Sequence, residues 1–429
     1  MTDRQRTILF MPESAFGPTN NCIGIGRRLT QRGHRVVFAA DRTWKGRLAP
    51  LGFDEDLVDL AAPTPDVAPQ SAGQFWKDYI SAISPEFAKP TVDQLETVIR
   101  PIWEELVAGA TYVEPQLREI TARWRPDVIV EDNVVGFPAL MTAGVPYVRI
   151  VSCNPLEIPG PNVAPAFSGL GENEASLFGA FRDAYRETHA DLWGRFDEWF
   201  RAQGAPGLPN LEFIGTGALN IYVYPAELDY VDERPLPSTW HRVDSCVRET
   251  DVDVDLPGGF ADGRRPVVYL SLGSLGSADV LLMRRLVDAL ATEPYDIIVS
   301  MGPRHAELAL ASNMWGAEFV PQARLLPRAD LVITHGGNNT VTETLHAGKP
   351  MVVLPLFWDQ YDNAQRVDER GYGRRMASYE FTATQLRATV GELLADDALS
   401  RRLRHASQRI RGADGVGRAA ELILAAADL

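Results

Sequence analysis

"DLVITHGGNNTVTE" (330–343) decides the fold. "DLVIT" is a short apolar run of the kind that forms a buried parallel strand. "HGGNN" follows at once, and "TVTETLHAG" then reads as a helix that stops at a glycine. A strand followed directly by a helix is part of the repeating unit of a doubly wound sheet. Gly336 and Gly337 let the backbone turn sharply and come close to a ligand. Asn338, Asn339 or Thr340 is expected to cap the helix, and Thr340 and Glu343 have the spacing of a capping box. The free N–H groups of such a helix end attract anions, and His335 at the strand end can donate to a phosphate oxygen. A histidine that merely satisfies a loop carbonyl would look the same in isolation, so the surroundings must decide.

Outward from this stretch the alternation continues. "PVVYLSLGS" (266–274), "YDIIVS" (295–300), "AEFV" (317–320) and "PMVVLP" (350–355) read as strands, with helical spacing between them. The first half repeats the rhythm in "TILFM" (7–11), "RVVFAA" (35–40), "PDVIVED" (126–132), "PYVRIVS" (146–152) and "LNIYVYP" (219–225). A polar, Pro- and Gly-rich stretch from about 232 to 266 separates the blocks and reads as a linker. The fold expected is α/β, with two doubly wound domains facing across a cleft and ligands beyond the carboxyl ends of the strands. The boundaries drawn are 1–237 for the first domain, 238–265 for the linker and 266–412 for the second. The last stretch, 413–429, reads as a helix that can pack back on the first domain.

Two stretches interrupt the alternation, 63–115 and 155–210. Both are rich in aromatics, among them Phe75, Trp76, Tyr79, Trp103, Phe167, Phe178, Phe181, Trp193 and Trp199. Helical hairpins packed on the core would account for them; so would the wall of an apolar ligand cleft, and both can hold together.

Composition narrows the partners. The chain has 429 residues, 45% of them hydrophobic, enough for two or three packed domains. A net charge of −15 with no long basic run argues against nucleic acid and against an anionic membrane surface. Nothing approaches the ~20 consecutive apolar residues that span a bilayer. Three scattered cysteines (Cys22, Cys153, Cys246) fit a reducing, cytoplasmic setting rather than a disulfide framework. "DVDVD" (251–255) resembles a metal-binding Asp-x-Asp, but it lies in the turn-rich linker, and a solvated acidic turn explains it. "CIGIGRRL" (22–29) lacks the third glycine of a dinucleotide site, and His34 reads as structural.

The whole stretch 318–373, from "EFVPQARLLPRADLVITHGGNNTVTETLHAGKP" through "MVVLPLFWDQYDNAQRVDERGYG", resembles the signature of nucleotide-sugar-dependent inverting glycosyltransferases. These are the GT-B enzymes that include plant secondary-metabolite and bacterial macrolide glycosyltransferases. "QRGHRV" (31–36) and "RPDVIVED" (125–132) agree more loosely. The resemblance implies an acceptor-binding first domain and a second domain that binds UDP- or TDP-sugar. In it Phe319 would stack on the base, with Val320 and Gln322 nearby. His335 would contact the α-phosphate, and Gly337, Asn339 and Thr340 would surround the diphosphate. Glu343 would accept from ribose hydroxyls, Asp359 and Gln360 would hold the sugar, and Ser271–Ser274 would lie near the β-phosphate. A helix N-terminus and a histidine can replace a metal at a leaving diphosphate, so no metal or other cofactor is expected. Phe75, Trp76, Tyr79, Phe178 and Phe181 are the expected acceptor wall.

In one place the chain departs from the family. The family's loop after the first strand reads Gly-His-x-Asn-Pro, and its histidine is the general base. Here "AFGPTNNCIG" puts Gly17 on the glycine, Pro18 on the histidine and Asn20 on the asparagine. Asp132 keeps the place of the carboxylate that normally orients the histidine. Three readings follow, in order: Asp132 is the base, Glu13 substitutes for it, or transfer is lost and only donor binding remains. An aspartate with an ordinary pKa near 4 would favour acidic acceptors. The expected activity is hexosyl transfer, glucose first, to a hydroxyl of an apolar small molecule that is phenolic, polyketide or antibiotic-like. A nucleotide-sugar epimerase of similar build and a non-catalytic sugar-nucleotide binder are the alternatives.

Overall fold

A computed structural model of the protein describes residues 4–61, 82–249 and 253–428. Two parallel sheets form. The first contains β1 (Thr7–Pro12), β2 (Arg35–Phe38), β3 (Asp54–Glu55), β4 (Val128–Asp132), β5 (Tyr147–Val151), β6 (Leu219–Val223) and β7 (Trp240–Val243), in the order β3-β2-β1-β4-β5-β6-β7. The second contains β8 (Val267–Ser271), β9 (Asp296–Ser300), β10 (Met314–Ala317), β11 (Leu331–Thr334), β12 (Met351–Val353) and β13 (Gly373–Arg375), in the order β10-β9-β8-β11-β12-β13. Central strands β4, β8 and β11 are buried along their whole length, which is why β8 and β11 read as apolar runs and β4 as one that ends on the buried carboxylates Glu131 and Asp132.

Each sheet reverses direction beside its first strand. β1 pairs with β2 on one side and β4 on the other, and β8 pairs with β9 and β11 in the same way. A doubly wound sheet opens a crevice at that switch point. Asp132 and Glu13 stand at the crevice of the first sheet, and Ser271 and His335 at that of the second.

Among the described residues, the helices of ten residues or more are α1 (Phe16–Gln31), α2 (Arg100–Trp124), α3 (Phe178–Ala202), α4 (Val280–Leu290), α5 (Asn338–Ala347), α6 (Gln360–Glu369), α7 (Ala383–Ala395), α8 (Asp397–Gly412) and α9 (Gly415–Ala426). Helix α9 returns to the first domain. Its Ala419, Ala420, Leu422, Ile423 and Ala426 are buried with Ile8 and Phe10 of β1 and Cys22 and Ile25 of α1. Helix α6 is held by main chain of the first domain: Phe167 and Gly169 N–H groups donate to Asp362, and Arg366 donates to the carbonyls of Leu228 and Asp229.

Several elements differ from the sequence expectation. Residues 240–243, inside the stretch read as linker, form edge strand β7; only Val243 is fully buried there, so no apolar run marks it. Strand β10 is 314–317 rather than 317–320, because its ladder with β9 runs from Met314–Ile297 to Ala317–Ser300 and leaves Phe319 past the strand end. Strand β13, in "GYGRR", carries no strand pattern at all. The capping box at Thr340 and Glu343 does not form, since α5 begins at Asn338 with Gly337 at its N-cap and no side-chain cap.

Candidate active site

The two crevices face each other across one cleft, a cavity of about 360 Å³, within the range of small-molecule sites. Glu13 and Asp132 line it from the first domain. Ser271, Ser274, Phe319, Val320, Gln322, His335, Gly337, Asn339, Thr340, Asp359 and Gln360 line it from the second. Residues drawn from distant parts of the sequence therefore meet in one place.

On the donor side the backbone dictates the shape. Gly336 has φ +91° and Gly273 has φ +71°, both in the left-handed region where a side chain is strained. The His335 ring lies between Gly273 and Gly337, and a Cβ at either would come within 2.7 Å of it. Burial lowers the His335 pKa to about 4, so the ring is neutral near pH 7 and acts as a neutral hydrogen-bonding group. Beside it the uncapped N-terminus of α5 presents free N–H groups and the positive end of the helix dipole.

Asp359 and Gln360 sit at the start of α6, and part of each side chain is committed. Gln360 Oε1 accepts from the N–H groups of Leu356 (3.0 Å) and Phe357 (3.3 Å), which leaves its amide nitrogen for a ligand. Asp359 Oδ2 accepts from Asn154 N at 2.8 Å and Asn363 Nδ2 at 3.3 Å; burial pushes its pKa up to about 7. Glu343 does not line the cleft. It lies behind the wall, 2% exposed, and accepts from Arg248 (3.1 Å), Asn339 (3.1 Å) and Gln322 (2.7 Å). All three of those donors, Arg248, Asn339 and Gln322, line the cleft. Arg248 stands in the polar linker and carries no motif, so sequence reasoning passed over it.

On the acceptor side Asp132 is 1% exposed, and burial pushes its pKa up to about 7. Its Oδ2 accepts from Ser152 Oγ at 2.7 Å and from the Cys22 thiol at 3.6 Å. The nearby carboxylates Glu157 and Glu13 raise the pKa further. Glu13 is occupied differently. Its Oε1 accepts from Ser14 Oγ at 3.0 Å and its Oε2 from Ala15 N at 2.8 Å, so both oxygens hold the turn into α1. Pro18 also lines the cleft, where it offers neither donor nor base.

The expected acceptor wall is corrected in part. Phe178 and Phe181 are buried in the core and do not line the cleft. They belong to a face of α3 that runs through His189, Leu192, Phe196 and Phe200, a helical spacing that the core explains. Phe75, Trp76 and Tyr79 lie outside the described residues. The apolar wall seen instead is built by Ile102 and Leu106 of α2 with Phe16, Trp44, Phe357 and Trp358. Among the described residues no three His, Cys, Asp or Glu side chains converge as a metal-holding group, and no helix is long and apolar enough to cross a membrane.

Residues 246–408 match the family described as "UDP-glucoronosyl and UDP-glucosyl transferase". Over that stretch the chain is similar to this family, and its two-sheet architecture is the GT-B glycosyltransferase fold. Its relatives include the oleandomycin glycosyltransferase of Streptomyces antibioticus, 27% identical over 96% of this chain and 88% of that protein. The zeaxanthin glucosyltransferase of Pseudescherichia vulneris is 28% identical over 92% of both. The fold is shared with the glycosyltransferase of kitacinnamycin, at a TM-score of 0.66 and 24% identity over 99% of each chain. In this GT-B frame the groups described above come from two domains that face each other across one cleft.

Proposed function

We propose that this glycosyltransferase moves a hexose, glucose before others, from UDP or TDP to a hydroxyl of an apolar small molecule, phenolic, polyketide or antibiotic-like, with inversion at the anomeric carbon. The observation that carries it is the confrontation across one cleft of the α5 N-terminus with His335 on one side and Asp132 on the other. The acceptor oxygen attacks the anomeric carbon, and the bond from that carbon to the diphosphate oxygen breaks with its electron pair. The acceptor proton passes to Asp132 Oδ1, the oxygen that Ser152 and Cys22 leave open. Helix dipole, His335 and the Ser271–Ser274 loop stabilise the departing diphosphate, so the step needs no metal. Glu13 is the weaker candidate for the base because both its oxygens hold the α1 turn.

Burial changes the acceptor argument. A carboxylate at about 7 is far better matched to proton abstraction near neutral pH than an ordinary aspartate, so ordinary phenols come within reach. Relatives named for oleandomycin and zeaxanthin support acceptors of this general kind. Three free cysteines fit work in the cytoplasm. The test is incubation with UDP-glucose and a panel of phenols, polyketides and macrocycles, read by mass spectrometry. Acceptor plus one hexose is the expected product. Conversion of the sugar nucleotide without any acceptor, or binding without product across the panel, would overturn the proposal.

A further inference from the structure

Asp132 has lost the histidine that its family counterpart orients, yet its carboxylate is not loose. Strand β5 ends at Val151, and the next residue, Ser152, crosses to the end of β4 and donates to Asp132 Oδ2 at 2.7 Å. Asn21 of α1 donates through Nδ2 to Ser152 Oγ at 2.9 Å. That bond takes the acceptor side of the serine, so the hydroxyl hydrogen is aimed at Asp132. Asn21 and Asp132 are each 1% exposed, and the chain of bonds is shielded from water. Cys22 adds a thiol, a weak donor, to the same oxygen. Both bonds fall on Oδ2 and leave Oδ1 for the acceptor.

The serine is also held from the opposite domain. Asn338, one of three candidate helix caps, instead donates through Nδ2 to the carbonyls of Ser152 (2.9 Å) and Val223 (3.0 Å), at the ends of β5 and β6. A residue inside the donor motif thus pins the main chain of the residue that aims the acceptor-side carboxylate.

We propose that Ser152 is the positioning residue for Asp132, aimed by Asn21 and fixed from the donor domain by Asn338. This rests on Asp132 being the base. The groups that face Asp132 are Glu13 from the β1–α1 turn, Cys22 from α1, Glu131 beside it on β4, Cys153 and Glu157 after β5, and Cys246 from the linker. The variants below leave them all in place. A buried serine that merely filled space would not tune the carboxylate; a donor to its charged form lowers the pKa, and its loss raises it.

The experiment is a set of pH–kcat profiles with UDP-glucose and a phenol, with UDP affinity measured by calorimetry on the same preparations. Ser152→Ala should move the acid limb upward by about one to two pH units, the worth of one hydrogen bond to a charged group. At pH 7, where the wild-type carboxyl is half ionised, that is a loss of about five- to fiftyfold in kcat that largely returns at higher pH, with UDP affinity retained. Asn21→Ala gives an independent test and should move the limb in the same direction by less. Asn338→Ala should lower kcat and spare UDP affinity, whereas a direct donor ligand would lose it. An unmoved limb in Ser152→Ala and Asn21→Ala, with Asp132→Asn inactive, would overturn this inference and leave the base assignment standing. Full activity of Asp132→Asn would overturn both.

Discussion

Replacing Asp132 by asparagine should stabilise the protein at pH 8 while removing its turnover. Burial raises the Asp132 pKa from 3.8 to about 7. A carboxylate whose folded pKa lies above its unfolded value binds more protons folded than unfolded between the two. Stability is therefore fullest below about pH 4 and falls as pH rises towards 7. At pH 8 the ionised group costs at most about three pKa units at 1.36 kcal/mol each, or about 4 kcal/mol. Asparagine has the same shape, carries no charge and can still accept from Ser152. A gain of about 1–3 kcal/mol is expected, or about 2–10 °C in the Tm of a domain of this size. The assay is the Tm of wild type and variant at pH 5 and pH 8. At pH 5 the folded wild-type carboxyl is neutral while the unfolded one is still ionised, so the gap should shrink to less than half of its pH 8 size and close only below about pH 4. Asp359, Asp362 and Glu212, also pushed up to about 7, shift both proteins alike and cancel in the difference. A gap that is equal at the two pH values, or reversed, would refute the raised pKa and the burial argument behind it.

Three further outcomes are expected. His335→Ala should weaken UDP binding about ten- to a hundredfold in calorimetry, the loss of one hydrogen bond to a charged oxygen; wild-type affinity should show no histidine titration between about pH 5.5 and 8, because burial holds that ring near 4. Gly273→Ala should cost UDP affinity by more than about tenfold while circular dichroism stays native, since a Cβ there meets the His335 ring at 2.7 Å and φ is +71°. Turnover should survive EDTA; abolition by chelator and rescue by magnesium or manganese would contradict the metal-free step.

Much of this was legible in the sequence for a simple reason. The strands that build the two crevices, β1, β4, β8 and β11, are buried on both faces and read as apolar runs, and the glycines at 273, 336 and 337 mark turns. Edge strands β7 and β13 are short and half-exposed and leave no such trace. Asn338 and Glu343 were misjudged because local spacing suggested a helix cap, whereas their partners, Ser152, Val223 and Arg248, are distant in sequence. Phe178 and Phe181 misled because an aromatic-rich helix has the same composition whether it lines a cleft or fills a core. Their spacing with Leu192, Phe196 and Phe200 held the better signal.

The central claim is that transfer persists without the histidine base because Asp132 takes the proton. The most direct measurement compares Asp132→Asn with Glu13→Gln over a series of phenols of graded pKa, following acceptor-hexose product and UDP binding together. Asp132→Asn should lose at least ~10²-fold in turnover, in line with removal of a general base, and bind UDP nearly as before. Glu13→Gln should keep most of its turnover, and wild-type rate should rise as acceptor pKa falls. Normal turnover in Asp132→Asn with loss in Glu13→Gln would contradict the account and make Glu13 the base.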